Sequence, residues 1–149
     1  TWLALGPLAG MMLIWAAFLG WAGYFYSGGN TDALKATIVG NIFGAVCAWA
    51  GAMLILNVDI GAFTAPIWVG LTVFILVYAS QVEALANIPG AVVGYAATFA
   101  YMLEANALDM TSVLATNFDN PLILISVSMA IGAAFGGISS RLAGMLGGK

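Results

Sequence analysis

FLGWAGYF at residues 18–25 and VVGYAATF at residues 92–99 are nearly one phrase written twice, 74 residues apart. Gly20 aligns with Gly94, Trp21 with Tyr95, Ala22 with Ala96 and Phe25 with Phe99. A polar break follows each copy. Then comes a glycine- and alanine-rich apolar stretch: GNIFGAVCAWAG at 40–51 and IGAAFGGISS at 131–140. A chain this apolar that repeats itself reads as a membrane protein of two related halves, and such repeats commonly enclose a solute path where the halves meet. The competing reading is chance, because small-plus-aromatic phrases recur readily in apolar helices.

Composition supports the membrane reading. Of 149 residues, 63 % are hydrophobic and only 6 % charged, against about 25 % charged in soluble domains. The length allows one domain, taken as a single transmembrane domain over 1–149. A net charge of −3 gives no basic footprint for nucleic acid. There is no histidine, and Cys47 stands alone in an apolar run, where it reads as a small packing residue. Neither a transition-metal site nor haem is expected, and no cofactor is. Nor is an enzyme: no base for a Ser/His/Asp set exists, and there is no phosphate loop.

A bilayer core about 30 Å thick takes about 20 apolar helical residues to cross. Five spans are expected, at about 3–26, 33–56, 60–80, 85–103 and 121–146, in an all-α polytopic transmembrane helical bundle. Residues 105–118 are too short and polar to span and are expected to form a short interfacial or re-entrant helix, with Asp119-Asn120-Pro121 as the break before the last span. Lys35, Arg141 and Lys149 fall on one side of this arrangement, assigned to the cytoplasm together with the C-terminus. Asp59, Glu104, Asp109 and Asp119 fall on the other. The repeat occupies spans one and two, then four and five, giving half-repeats of about 1–57 and 60–146. Span three then opens the second half, and its counterpart would be a sixth, N-terminal span ahead of Thr1. Three helices per half make a 3+3 inverted repeat. The start TWLALGPLAG has neither an initiator Met nor a basic n-region, so no signal peptide is read and the sequence is expected to be incomplete or processed.

Small residues recur every fourth position: Ala36, Gly40, Gly44, Ala48 and Ala52 in span two, Ala86, Gly90, Gly94 and Thr98 in span four, and Ser128, Gly132, Gly136, Ser140 and Gly144 in span five. Each stripe follows one helix face and suits close packing of helices, within the chain or between copies. Tyr24, Tyr26 and Tyr101 fit an aromatic belt. No charge sits near the centre of a span, which argues against a proton pump or a voltage sensor. The candidate solute-path residues are neutral, with one exception: Trp21, Asn41, Asn87, Tyr95 and Thr98, with Glu83 at the mouth. Asn41 opens NIFGAV and Asn87 opens NIPGAV. A buried amide needs donors and acceptors around it, and it can replace the hydration of a small solute or bond to a neighbouring helix. Glu83 and Asn87 share a face if the helix is continuous there. More often a glutamate at that place is simply a solvated helix end.

The run WAAFLGWAGYFYSGG followed by LKATIVGNIFGAV, and later IPGAVVGYAATFA, resembles a bacterial inner-membrane family known as domain of unknown function 1097. The residues that carry the resemblance include Trp15, Gly20, Tyr24, Phe25, Lys35, Pro89, Gly90, Thr98 and Phe99, and it covers about 11–140. It implies a multi-pass protein of the bacterial inner membrane with one more apolar helix ahead of the first tryptophan. The loop at 104–120 is longer than is usual there. The resemblance brings no activity and no functional residues.

The function expected first is a channel or facilitator for a small neutral solute such as urea, ammonia, water or a short amide, in the bilayer and as a homo-oligomer. A different class is an accessory subunit that binds partner membrane subunits through its small-residue stripes. A lipid-binding role lacks a basic headgroup cluster.

Overall fold

The computed structural model describes residues 11–147, where all regular structure is helical. The long helices start at residues that serve as caps. Asn30 accepts from the backbone N–H of Ala33 at 2.8 Å and opens α2 (Thr31–Asn57). Asn87 does the same for Gly90 and opens α4 (Ile88–Glu104), with Pro89 in the first turn. Asn120 accepts from Leu122 N–H and opens α6 (Pro121–Leu146). In each case the side-chain oxygen satisfies an N–H that the helix leaves free, and proline fits where no intrahelical donor is needed. α1 (Ile14–Tyr26) ends in a tight turn through Gly28 and Gly29, both at positive φ, which glycine adopts without strain. α3 (Thr64–Tyr78) is flanked by short 3-10 turns, and α5 (Met110–Val113) is a single turn in the loop before α6.

Three stretches are long and apolar enough to cross a membrane: Thr31–Asn57, Gly61–Gln81 and Pro121–Leu146. They match the second, third and fifth expected spans. α4, with 17 residues, and α1, with 13 and beginning only at Ile14 rather than at the expected start near residue 3, are shorter, at about 25 and 20 Å from the helical rise. Residues 3–10 of the first expected span, Thr1 and Lys149 lie outside the described residues.

Two helix pairs form the core, α2 with α4 and α1 with α6. Both are close crossings made possible by missing side chains. A Cβ on Gly44 would strike the backbone of Ala91, and one on Gly94 the backbone of Asn41. A Cβ on Gly20 would strike the backbone of Met129, and one on Gly132 that of Ala17. Such approach suits lipid, where burial of apolar surface gives little drive for helices to associate and van der Waals contact supplies it. Thus the small-residue stripes do pack helices within the chain, up to Gly136 against Tyr24; around Gly144, near the end of α6, nothing lies within 4 Å of an added Cβ. The two crossings also correspond in register. Gly20 and Gly94 are 74 positions apart, as are Ala17 and Ala91, while Asn41 and Met129 are 88 apart, as are Gly44 and Gly132.

α3 lies against α2 and α4 and covers the cluster of Cys47, Ala48, Leu76, Ala91 and Tyr95. The loop before α6 is held by three hydrogen bonds. Trp49 Nε1 donates to Val113 O at 2.8 Å, and Asn120 Nδ2 donates to Val113 O and Ala115 O. Val113 is thereby fixed in a buried cluster with Ala52 and Met102. The expected interfacial helix therefore shrinks to one turn, because Asp109 caps only Thr111 and Ser112 before the chain breaks. Large apolar side chains face outward elsewhere, among them Phe18, Phe74 and Leu103. An exposed apolar surface of this kind is what a helix bundle in lipid presents.

Candidate functional site

Between α1, α2 and α4 lies a cavity of ≈ 350 Å³, within the size range of small-ligand sites. Its walls are mostly apolar, with Leu19, Ala22 and Gly23 from α1 and Pro89, Gly90 and Val93 from the first turns of α4. Among the described residues, three lining side chains carry polar atoms, Asn41, Ser27 and Tyr26.

Asn41 decides the chemistry. It is 2 % exposed, and its Nδ2 is one of two buried side-chain atoms without a hydrogen-bond partner among the described residues, Ser126 Oγ being the other. A buried amide donor left unpaired costs about 1–3 kcal/mol, so native structures rarely keep one without a use. α2 holds Asn41 in place because its backbone carbonyl is the surface on which Gly94 packs.

Ser27 Oγ sits at the end of α1 and accepts twice, from Thr37 Oγ1 at 3.1 Å and from Asn87 Nδ2 at 3.2 Å. With both lone pairs engaged, its own hydrogen remains to be donated. Asn87 also donates to Ala36 O at 3.1 Å, while its Oδ1 caps Gly90. Asn87 thus ties together the end of α1, α2 and α4. Its amide is spent on the protein, one bond behind the cavity.

The other expected path residues lie apart from this cavity. Trp21 stacks between Phe18 and Phe135 on the outer face of α1 and α6. Tyr95 faces α3, with its hydroxyl 2.8 Å from Thr72 Oγ1. Thr98 is fully buried and donates back to Gly94 O at 2.8 Å. Glu83 is exposed in a 3-10 turn that ends before Asn87, so the continuous helix that would align the two is not formed. It lines a separate surface recess with Asp32 and Lys35. Tyr24, expected in an aromatic belt, is buried and donates to Gly29 O at 2.6 Å. Ser27 and Thr37 escaped the sequence reading. The only signal was the polar break SGGN, which reads as a turn whether or not its serine points inward.

Among the described residues no group of three His, Cys, Asp or Glu side chains gathers to hold a metal. Outside the spans, two carboxylates are held below their usual range. Asp59 accepts from the Thr64 hydroxyl and the Gly61 N–H. Asp109 accepts from the Ser112 N–H and hydroxyl and from Thr111. Both are turn-forming contacts.

Residues 1–144 match a family described as Protein of unknown function (DUF1097). The chain belongs to this family. The match takes in every helix described above except the last two residues of α6. Comparison with curated proteins and with solved structures gives no match in either set. Membership in DUF1097 fits a membrane protein of apolar helices and carries no activity with it.

Proposed function

We propose that this DUF1097 chain is an integral membrane channel or facilitator for a small neutral solute such as urea, ammonia, water or a short amide. The observation that carries the proposal is Asn41, 2 % exposed on the wall of a cavity of ≈ 350 Å³, with an amide nitrogen that has no partner among the described residues. A donor held dry without a partner is set to replace the hydration of something that arrives.

The proposal includes a 3+3 inverted repeat and five spans in the sequence given. Its support is the correspondence of the two glycine crossings, in which α1 maps onto α4 and α2 onto α6 with constant spacings. Leu19 and Val93, equivalent under that mapping, both line the cavity, so it would lie where the halves meet. The same mapping assigns a counterpart of α3 to the face where Phe18, Trp21 and Phe135 stack. A helix ahead of α1 is the segment proposed to cover it. The positive-inside rule applied to Lys35 and Arg141 favours a cytoplasmic side for the cavity's Ser27 end and the C-terminus, in a bacterial inner membrane. The protein is proposed to work as a homo-oligomer.

One observation favours a second reading. The Phe18–Trp21–Phe135 ladder is largely exposed and would equally seat a helix of a partner membrane subunit. Reconstitution separates the two. Liposomes containing the full-length protein are challenged with urea, glycerol, ammonia and osmotic steps, and stopped-flow light scattering is followed. Selective flux above empty vesicles supports the facilitator. Folded protein that passes none of them supports the accessory subunit.

A further inference from the structure

We propose that Arg141 holds the phosphate of an anionic phospholipid in a recess at the end of the bundle where α1 finishes and α6 nears its end. The recess has a volume of ≈ 320 Å³ and is separate from the Asn41 cavity. α6 contributes Gly137, Ser140 and Arg141, and the turn into α2 contributes Gly29, Asn30 and Thr31. Gly137 keeps the space open, because a Cβ there would lie 3.9 Å from Leu34 Cδ2 and 4.0 Å from the Tyr24 ring. Arg141 is one of only three basic residues in the chain, and among the described residues no carboxylate lines the recess with it. Asp32, next in the chain to Thr31, lines a different recess with Lys35 and Glu83. Two acceptors at the Arg141 recess are already taken within the protein. Gly29 O accepts from the Tyr24 hydroxyl at 2.6 Å, and Asn30 Oδ1 from the Ala33 N–H at 2.8 Å.

A guanidinium stays charged at any pH of interest and matches phosphate oxygens with its planar fork. The hydroxyls of Thr31 and Ser140 can donate as well. A phospholipid headgroup spreads its oxygens over phosphate, ester and hydroxyl positions, so groups placed round the recess need not meet at one point. The surroundings favour lipid over a free ion. α6 is long and apolar enough to cross a membrane, and Leu142, Met145 and Leu146, which follow Arg141, are exposed. Arg141 thus lies within the apolar end of the helix, where a basic side chain reaches toward the headgroup layer. A free phosphate would have to leave water to meet it, whereas a lipid phosphate is already at that depth. In the orientation proposed above this end is cytoplasmic, a side on which basic pockets between helices hold anionic headgroups.

The test is lipid retention, measured apart from transport. Phosphatidylglycerol is added to the purified full chain in detergent micelles, and bound lipid is counted by native mass spectrometry. Wild type is expected to retain it, and retention should fall by about five-fold or more in Arg141→Gln. Lys35→Gln removes the same charge from the same end of the bundle but not from the recess, and it should match wild type. Gly137→Leu keeps every charge while filling the recess, and it should also retain less. Equal retention by Arg141→Gln and Lys35→Gln overturns the site, as does wild-type retention of phosphatidylcholine equal to that of phosphatidylglycerol. Arg141 is exposed, so its replacement removes no packed side chain. Should Arg141→Gln nevertheless fail to fold, Gly137→Leu decides, and undiminished retention in it overturns the site. A further arm adds inorganic phosphate at millimolar concentration. Unchanged lipid retention supports the lipid, and displacement that depends on Arg141 overturns it in favour of free phosphate.

Discussion

Asn41 and Asn87 look alike in sequence, NIFGAV against NIPGAV, yet the structure gives them opposite duties. Asn87 makes three hydrogen bonds, one to its own helix and two to neighbouring segments. Asn41 Nδ2 makes none among the described residues. Asn87→Ala is therefore expected to destabilise the protein by about 1–2 kcal/mol through the lost cap and the lost bridges. Asn41→Leu removes a buried unpaired donor in favour of an apolar side chain of similar size, so its stability should equal or exceed that of wild type. Unfolding midpoints in detergent check both, and a clear loss of stability in Asn41→Leu would show that its amide has a structural partner. Neither duty was legible in sequence. Spacing identifies two buried amides near glycine-rich turns, whereas the division of labour depends on where Ser27 and Ala36 come to lie. Tyr95 and Thr98 illustrate the same limit. Both read correctly as buried polar groups, but periodicity does not say whether a buried face meets a cavity, another helix or its own backbone.

At the scale of elements, four glycines set the helix spacing. Gly20, Gly44, Gly94 and Gly132 each leave room for a neighbouring backbone that a Cβ would strike. Alanine at any of them must push two helices apart, and overpacking of this kind costs about 1–3 kcal/mol. Alanine at Gly70 meets nothing within 4 Å, and it should be neutral or stabilising by up to about 1 kcal/mol through helix propensity. Thermal or denaturant unfolding of the five variants tests this ranking. The helices themselves were readable, because apolar runs ended at capping asparagines, prolines and glycine turns whose chemistry is local. The small-residue stripes were readable as packing faces for the same reason. The loop before α6 was not, since Trp49, which holds it, sits in the apolar run of another helix. Asp109 gives that loop a pH dependence. Its carboxyl is held below the usual range by Ser112 and Thr111 in the folded loop, so the stabilisation is fully present above the unfolded value of about 3.9. It is lost as pH falls through the lower folded value. After correction for intrinsic rates, amide protection at Thr111 and Ser112 should fall in that acid window, and Asp109→Ala should already lack it at neutral pH.

For the whole molecule, the membrane arrangement is the claim with the widest reach. In a Cys47→Ser background, single cysteines at Lys35 and Glu83 should react with an impermeant thiol reagent from the cytoplasmic side, and one at Asp109 only from the opposite side. Labelling of all three from one side would contradict the orientation. The proposed repeat rests on a phrase in the sequence and on the two glycine crossings, where positions 74 and 88 residues apart make matching backbone contacts. The equivalence stops at the cavity. Asn41 maps onto Met129, so the donor occurs on one side only. The central claim is that this single donor serves a passing solute. The most direct measurement compares acetamide flux, by stopped-flow light scattering, in liposomes carrying equal amounts of folded wild-type and Asn41→Leu protein. The account predicts flux well above empty vesicles for wild type and a fall of at least ten-fold in the protein-dependent part for the variant. Wild-type flux no faster than that of empty vesicles, or equal flux from the two proteins, would contradict it.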